Sequence, residues 1–82
     1  MEEELKQTRA IFPDAEAFYG DIHIPMNSNT CSDIYIHKTP IESYVLYVHR
    51  HIDFTDITKP TKDFNKILKI LKAIKELEEW IN

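Results

Sequence analysis

Three segments of the chain alternate between apolar and polar residues, as strands with one buried face do. They are residues 18–24 (FYGDIHI), 33–38 (DIYIHK) and 43–54 (SYVLYVHRHIDF). Pro25 ends the first segment, and the polar run at 27–30 is typical of a loop. The pattern therefore predicts three β-strands, of which the third is the longest.

Each predicted strand has two chemically different faces. The apolar face carries Phe18, Ile22, Ile24, Ile34, Ile36, Tyr44, Leu46, Val48, Ile52 and Phe54. The other face carries tyrosine, histidine and aspartate, namely Tyr19, Asp21, His23, Tyr35, His37, Tyr47, His49, His51 and Asp53. If the strands pair as a meander, these side chains form one surface that contains all four histidines. Gly20, the only glycine, interrupts the first strand and indicates a bulge or a close backbone approach.

The two ends of the chain have helical patterns. Residues 2–10 are good helix formers with acids in the first turn, and Pro13 follows them. Near Pro60 a second helix begins that extends to Ile81. Its apolar stripe consists of Phe64, Ile67, Leu68, Leu71, Ile74, Leu77 and Ile81. Lysines come first along this helix and glutamates last, which is the opposite of what the helix macrodipole favours. We therefore expect packing against the sheet to stabilise the helix.

These elements together predict an α+β fold. We expect a short antiparallel three-stranded sheet, arranged as a meander and packed on a C-terminal amphipathic helix, with a short N-terminal helix. The 82 residues are too few for two hydrophobic cores, so residues 1–82 should form a single small domain.

Composition narrows the class of protein. A hydrophobic content of 43% and a charged content of 29% are those of a globular chain. No run of residues is long and apolar enough for a membrane span, and the acidic start is unlike a secretory signal. The single cysteine suits a reducing cytoplasm, which is the expected location. Because so small a core has no covalent staple, binding to a partner or a homo-oligomer is also expected.

The polar face of the sheet is the first candidate surface. Tyrosines provide large and fairly rigid contact area with a polar tip, so they anchor protein interfaces. We predict that a protein partner binds to Tyr19, Asp21, His23, Tyr35, His37, Tyr47, His49 and His51. A simpler alternative is that the N-terminal helix or a second protomer covers this face.

Two further uses of the same face remain open. His49 and His51 stand on one side of one predicted strand, and His23, His37, Asp21 or Asp53 could supply a third ligand for a zinc-like ion. A pair of histidines could also serve as general acid and base in phosphodiester cleavage. No glycine-rich phosphate loop or nucleophile motif supports catalysis, so we predict neither an enzyme nor a cofactor.

The lysine-rich helix is the second candidate surface. Lys62, Lys66 and Lys69 lie close to one line on it, where a phosphate backbone or an acidic partner could bind. A solvated helix face is the commoner explanation. The net charge of −4 argues against nucleic acid as the partner.

The segment 32–48 (SDIYIHKTPIESYVLYV) resembles a strand, proline turn, strand unit of suppressor-of-fused-like domains, which in bacteria often occur as immunity proteins against toxins. The segment is about a fifth of the chain and lacks the glycine that typically follows. The resemblance implies a small neutralising partner and assigns no site residue. The small size, the acidic balance, the absence of a catalytic motif and the aromatic face favour a non-catalytic binding module that masks another macromolecule. Our leading hypothesis is an antitoxin, an immunity protein or a phage-encoded inhibitor of host defence. The alternative is a small metal- or histidine-dependent phosphodiesterase or nuclease.

Overall fold

A computed structural model describes residues 1–26, 33–50 and 53–81 of the chain. The elements are α1 (Glu2–Arg9), β1 (Glu16–Phe18), β2 (Asp21–Ile24), β3 (Ile34–Lys38), β4 (Tyr44–Arg50), β5 (Asp53–Asp56) and α2 (Phe64–Ile81). The predicted α+β class, the antiparallel sheet and the helix at each end are confirmed. The predicted number of strands is wrong, because two of the three predicted strands are each a pair of strands.

The five strands pair in chain order, β1-β2-β3-β4-β5, and every pairing is antiparallel. The longest strand, β4, therefore lies inside the sheet and offers no free edge for strand addition. The two edge strands, β1 and β5, are only three and four residues long. Short edge strands of this kind limit uncontrolled pairing with other chains.

The predicted strand at 18–24 is a tight β-hairpin. Tyr19 and Gly20 both have positive φ angles, 47° and 84°, so the chain reverses at these two residues. Phe18 then lies opposite Asp21 and shares its face of the sheet. The predicted bulge at Gly20 and the predicted core position of Phe18 are therefore wrong, since the turn restarts the alternation of side chains.

The predicted strand at 43–54 also contains a reversal. Arg50 lies opposite Asp53 and His49 lies opposite Phe54, so Phe54 shares the face of His49. Its predicted core position is wrong, and its side chain is 67% exposed. His51 and Ile52, which were assigned to opposite faces, lie outside the described residues.

The hydrophobic core lies between one face of the sheet and the two helices. From the strands, Ile22, Ile24, Ile36 and Leu46 are almost completely buried, and they pack with residues from both helical regions. Those residues include Leu5, Ile11, Phe12, Ile67 and Leu71. We call this side of the sheet the inner face. Burying one such side chain contributes about 1.5–3 kcal/mol, so this layer is the main source of stability.

The N-terminal helix is held against the inner face by polar contacts as well. The Tyr44 hydroxyl donates to a carboxylate oxygen of Glu4 at 2.6 Å, and Lys38 Nζ lies 3.4 Å from the same oxygen. Because Tyr44 and Lys38 lie opposite each other on β4 and β3, Glu4 ties α1 to two strands. This position excludes α1 as the cover of the opposite, tyrosine-bearing face.

The C-terminal helix buries a narrower stripe than its sequence predicts. Ile67 and Leu71 are fully buried, whereas Leu77, which was assigned to the buried stripe, is 60% exposed. Leu77 is ten residues beyond Ile67, and this spacing places it roughly 80° around the helix. Within the described part of the chain, no helix combines the length and the apolar character that crossing a bilayer requires.

Replacing Gly20 with alanine should destabilise the fold by about 1–2 kcal/mol. A Cβ at this position would meet no atom within 4 Å, so the cost comes from the positive φ angle alone. Tyr19→Asn should have the opposite effect and raise stability. Tyr19 also has a positive φ angle, and asparagine tolerates this conformation better than tyrosine does. Urea unfolding of both variants checks the turn, and equal stability for the two would contradict it.

Candidate functional site

The face of the sheet opposite the core, here called the outer face, is organised by the strand register. One row of side chains crosses all five strands, because each member lies opposite the next: Glu16, His23, Tyr35, Tyr47 and Asp56. We call these five residues the central row. The outer face also carries Phe18, Asp21, His37, Val45, His49 and Phe54. Asp33, just before β3, joins this surface through its contact with His23.

The rings of the outer face stack on one another. His23 lies on Tyr35 with centroids 4.9 Å apart, and Tyr35 lies nearly parallel to Tyr47 at 5.1 Å. Phe18 extends the stack at one end, 5.6 Å from Tyr35, and Phe54 extends it at the other, 5.7 Å from Tyr47. Contacts of this kind add about 0.5–1.5 kcal/mol per pair beyond area burial, so the rings are held in a fixed arrangement.

Asp21 anchors the middle of this surface. One of its carboxylate oxygens accepts a hydrogen bond from His37 Nδ1 at 2.7 Å, and the other accepts from the Tyr47 hydroxyl at 2.6 Å. Partial burial and the hydrogen bond to Asp21 raise the pKa of Tyr47 far above its ordinary value. Tyr47 therefore remains a protonated donor. Asp21 fixes the orientation of both Tyr47 and His37.

His23 is held between two carboxylates. Its Nδ1 lies 3.0 Å from a Glu16 oxygen and its Nε2 lies 2.8 Å from an Asp33 oxygen. Burial lowers the pKa of His23, but the hydrogen bonds and charges of Asp33 and Glu16 outweigh it, and the net effect raises the pKa. The protonated ring satisfies both carboxylates at once, because an imidazolium donates from both nitrogens.

This arrangement bears on the metal and catalytic alternatives. Both ring nitrogens of His23 are occupied by carboxylates, and His49 stacks on Phe54 with centroids 4.6 Å apart. Among the described residues, no group of three histidine, cysteine or acidic side chains is placed to hold a metal ion. The proposed pair of His49 and His51 reaches outside the described residues. The metal-dependent or histidine-dependent phosphodiesterase stays a prediction.

A concavity of about 500 Å³ opens beside the central row. Its lining combines apolar and acidic side chains: Asp21, His37, Thr39, Val45, Tyr47, Phe54, Asp56 and Pro60. Three outward strand positions of the described sheet carry carboxylates, and Asp33 adds a fourth just before β3 begins. None of the outward strand positions carries a lysine or an arginine. Such a surface attracts cationic groups and repels phosphates.

Six of the eight predicted site residues come together on the outer face: Asp21, His23, Tyr35, His37, Tyr47 and His49. Tyr19 instead occupies the β1–β2 turn, where it is 95% exposed and meets the ring of Phe18 edge-on. His51 lies outside the described residues. These positions establish a shared surface, and the binding role assigned to it stays a prediction.

Sequence reasoning missed the two phenylalanines and three of the acids of the outer face. The alternation predicts core positions for Phe18 and Phe54, and it assigns no face to Glu16, Asp33 and Asp56. The pair Tyr19-Gly20 was the available signal for the first hairpin, since glycine is favoured at the second position of such a turn. No comparable dipeptide marks the second reversal.

Comparison of the chain with protein families, curated proteins and solved structures found no match.

The stability conferred by His23 should depend on pH. Since its pKa is raised in the folded protein, its contribution is complete below the unfolded value of about 6.5 and is lost as pH rises through the folded pKa. The His23→Gln variant cannot take up the proton. The difference in unfolding free energy between wild type and variant should shrink as pH rises above about 6.5, as urea titrations at several pH values can show. A difference in unfolding free energy that stays constant with pH would show that protonated His23 does not bind Glu16 and Asp33 in this way.

Proposed function

We propose that this protein is a non-catalytic binding module that captures a basic surface of a protein partner on its outer face and thereby neutralises that partner. The observation that carries the proposal is the central row with its flanking phenylalanines, a fixed aromatic surface edged by carboxylates. An antitoxin, an immunity protein or a phage-encoded inhibitor of host defence would act in this way, in the cytoplasm.

The aromatic part of the surface supports protein binding. Phe18 and Phe54 are 42% and 67% exposed, yet both lie beside the tyrosines on one face. Clustered exposed apolar side chains are costly for a free protein in water and typically mark interaction sites. Burying Phe54 and the partly buried Tyr35 and Tyr47 in a complex would provide the aromatic anchors on which most interface energy depends.

The charges of the surface define the kind of partner. Glu16 and Asp56 occupy the two ends of the central row, and Asp33 lies next to His23. Lysine or arginine side chains of a partner would find carboxylates at the rim and aromatic faces between them. Cation–π contacts and complementary potentials favour such a partner and speed its association.

The hydrogen bonds between polar side chains of the outer face support tight binding. Asp21 fixes Tyr47 and His37, and Glu16 and Asp33 fix His23. Side chains that are already ordered lose little conformational entropy when a partner covers them. Immobilising a free side chain costs about 0.5–1.5 kcal/mol, so this preorganisation improves affinity.

Photo-crosslinking in the host cell tests the proposal. A photoreactive amino acid in place of Phe54 should give a specific adduct with a basic protein, because that position lies beside the acidic rim. The same amino acid in place of Asn65, an exposed residue of α2, is the control. The adduct protein, once purified, should lose its activity when this protein is added. Adducts from position 65 only, or undiminished activity, would defeat the proposal.

Substitutions on the outer face should weaken this complex in two different ways. Phe54→Ala removes an aromatic anchor and should cost about 2 kcal/mol, mainly through faster dissociation. Asp56→Asn removes a rim charge and should slow association and reduce its dependence on salt. Surface plasmon resonance at two salt concentrations separates the two effects. Asn65→Ala, the matched control on α2, should leave both rates unchanged, and equal losses from all three variants would contradict the assignment.

A further inference from the structure

A second apolar stripe lies on the exposed side of α2, away from the sheet. Ala73, Leu77 and Trp80 recur at spacings of four and three residues, so they lie along one line of the helix. Leu77 is 60% exposed and Trp80 is 86% exposed. The core does not use this stripe, and it is separate from the outer face.

The charges beside the stripe are divided along the helix. Lys69 and Lys72 lie in the N-terminal half of α2, and Glu76 and Glu79 lie in its C-terminal half. All four side chains are exposed. Among the described residues none of the four forms an ion pair within the chain. The first turn of α2 has no acid and its last turn has no base, which is the reverse of what the helix macrodipole favours.

A second copy of α2 in the antiparallel direction would place its lysines beside the glutamates of the first copy and its apolar stripe against the stripe of the first. From the structure we infer that two copies of the protein associate through α2 about a two-fold axis near the middle of the helix. In this arrangement Leu77 of one copy meets Ala73 of the other. The same register places Glu76 against Lys72 and Glu79 against Lys69, on the same flank of both helices.

The antiparallel pairing also offsets the unfavourable interaction between the charges of α2 and its own macrodipole. The lysines of one copy come close to the negative C-terminal end of the other, where cations are favoured. Trp80 comes within reach of the Lys69 stem and ammonium of the other copy, a geometry suited to a cation–π contact. In a parallel pairing about a two-fold axis, the charged flanks of the two copies would instead lie on opposite sides of the interface, so these lysines and glutamates could not face each other.

The stripe is small, so the dimer should be weak. Three side chains from each copy cannot bury the roughly 1,200 Å² at which stable interfaces begin. A dissociation constant of about 10⁻⁵ to 10⁻³ M is expected. This inference does not depend on the proposed function, because the outer face stays free in the dimer.

Sedimentation velocity from about 10 µM to about 1 mM tests the association. The wild-type mass should rise from 9.7 kDa toward twice that value. Leu77→Glu and Trp80→Glu should weaken the dimer at least about tenfold. Both residues are exposed, so circular dichroism and the thermal unfolding of dilute protein should stay unchanged. Phe54→Glu, a similarly exposed position on the outer face, is the matched control and should still dimerise. A wild type that stays monomeric to about 1 mM, or a dimer lost in Phe54→Glu and kept in Leu77→Glu, would overturn the inference.

Charge reversal tests the antiparallel orientation. The double variant K69E/K72E and the double variant E76K/E79K should each dimerise less than wild type, since like charges then face each other. The quadruple variant that combines them restores opposite charges across an antiparallel interface and should recover the wild-type dimer. Failure of the quadruple variant to recover, while both double variants are weakened, would overturn the antiparallel register.

Discussion

The pairing of Phe18 with Asp21, and of His49 with Phe54, determines what each side of this sheet presents to its surroundings. Side chains alternate along a strand, so a reversal of direction decides whether the next residue continues the inner or the outer series. With these two pairings, isoleucine and leucine fill the inner face and a phenylalanine stands at each end of the aromatic stack. A shift of one residue in either hairpin would turn an outer carboxylate, Glu16 of β1 or Asp56 of β5, toward the inner face.

The sequence contained much of this fold, because helical and strand periods are local properties. The helix at each end, the antiparallel sheet and the inward positions of Ile22, Ile36 and Leu46 all follow from spacing. The positions of Phe18 and Phe54 could not be obtained in the same way, since a hydrophobic residue gives no sign of which face it occupies once the chain has turned. Counting continuously through 18–24 and 43–54 therefore assigned both rings to the wrong side.

The candidate site was predictable in its chemistry and less so in its connections. Alternation alone brought Asp21, His23, Tyr35 and Tyr47 together. That Asp21 would serve two donors and His23 two acceptors depends on which side chains the strand order brings within reach. Some partners lie directly opposite on the next strand, as Glu16 does for His23, and others lie diagonally or two strands away, as Tyr47 does for Asp21. The same limit applies to α2, where the departure of Leu77 from the buried stripe depends on how wide a surface the sheet offers.

If α2 pairs with a second copy, the two outer faces point away from each other, and one dimer could engage two partner sites.

Separation of the two faces also has an evolutionary consequence. The inner residues of β2, β3 and β4 are constrained by close packing, whereas their immediate neighbours in sequence, apart from the buried Val45, contact mainly one another and solvent. Every second position of the sheet can therefore change with little effect on the core, apart from the hydrogen-bonded set around Asp21 and His23. A chain built in this way can diversify what it recognises while it keeps the fold that presents it.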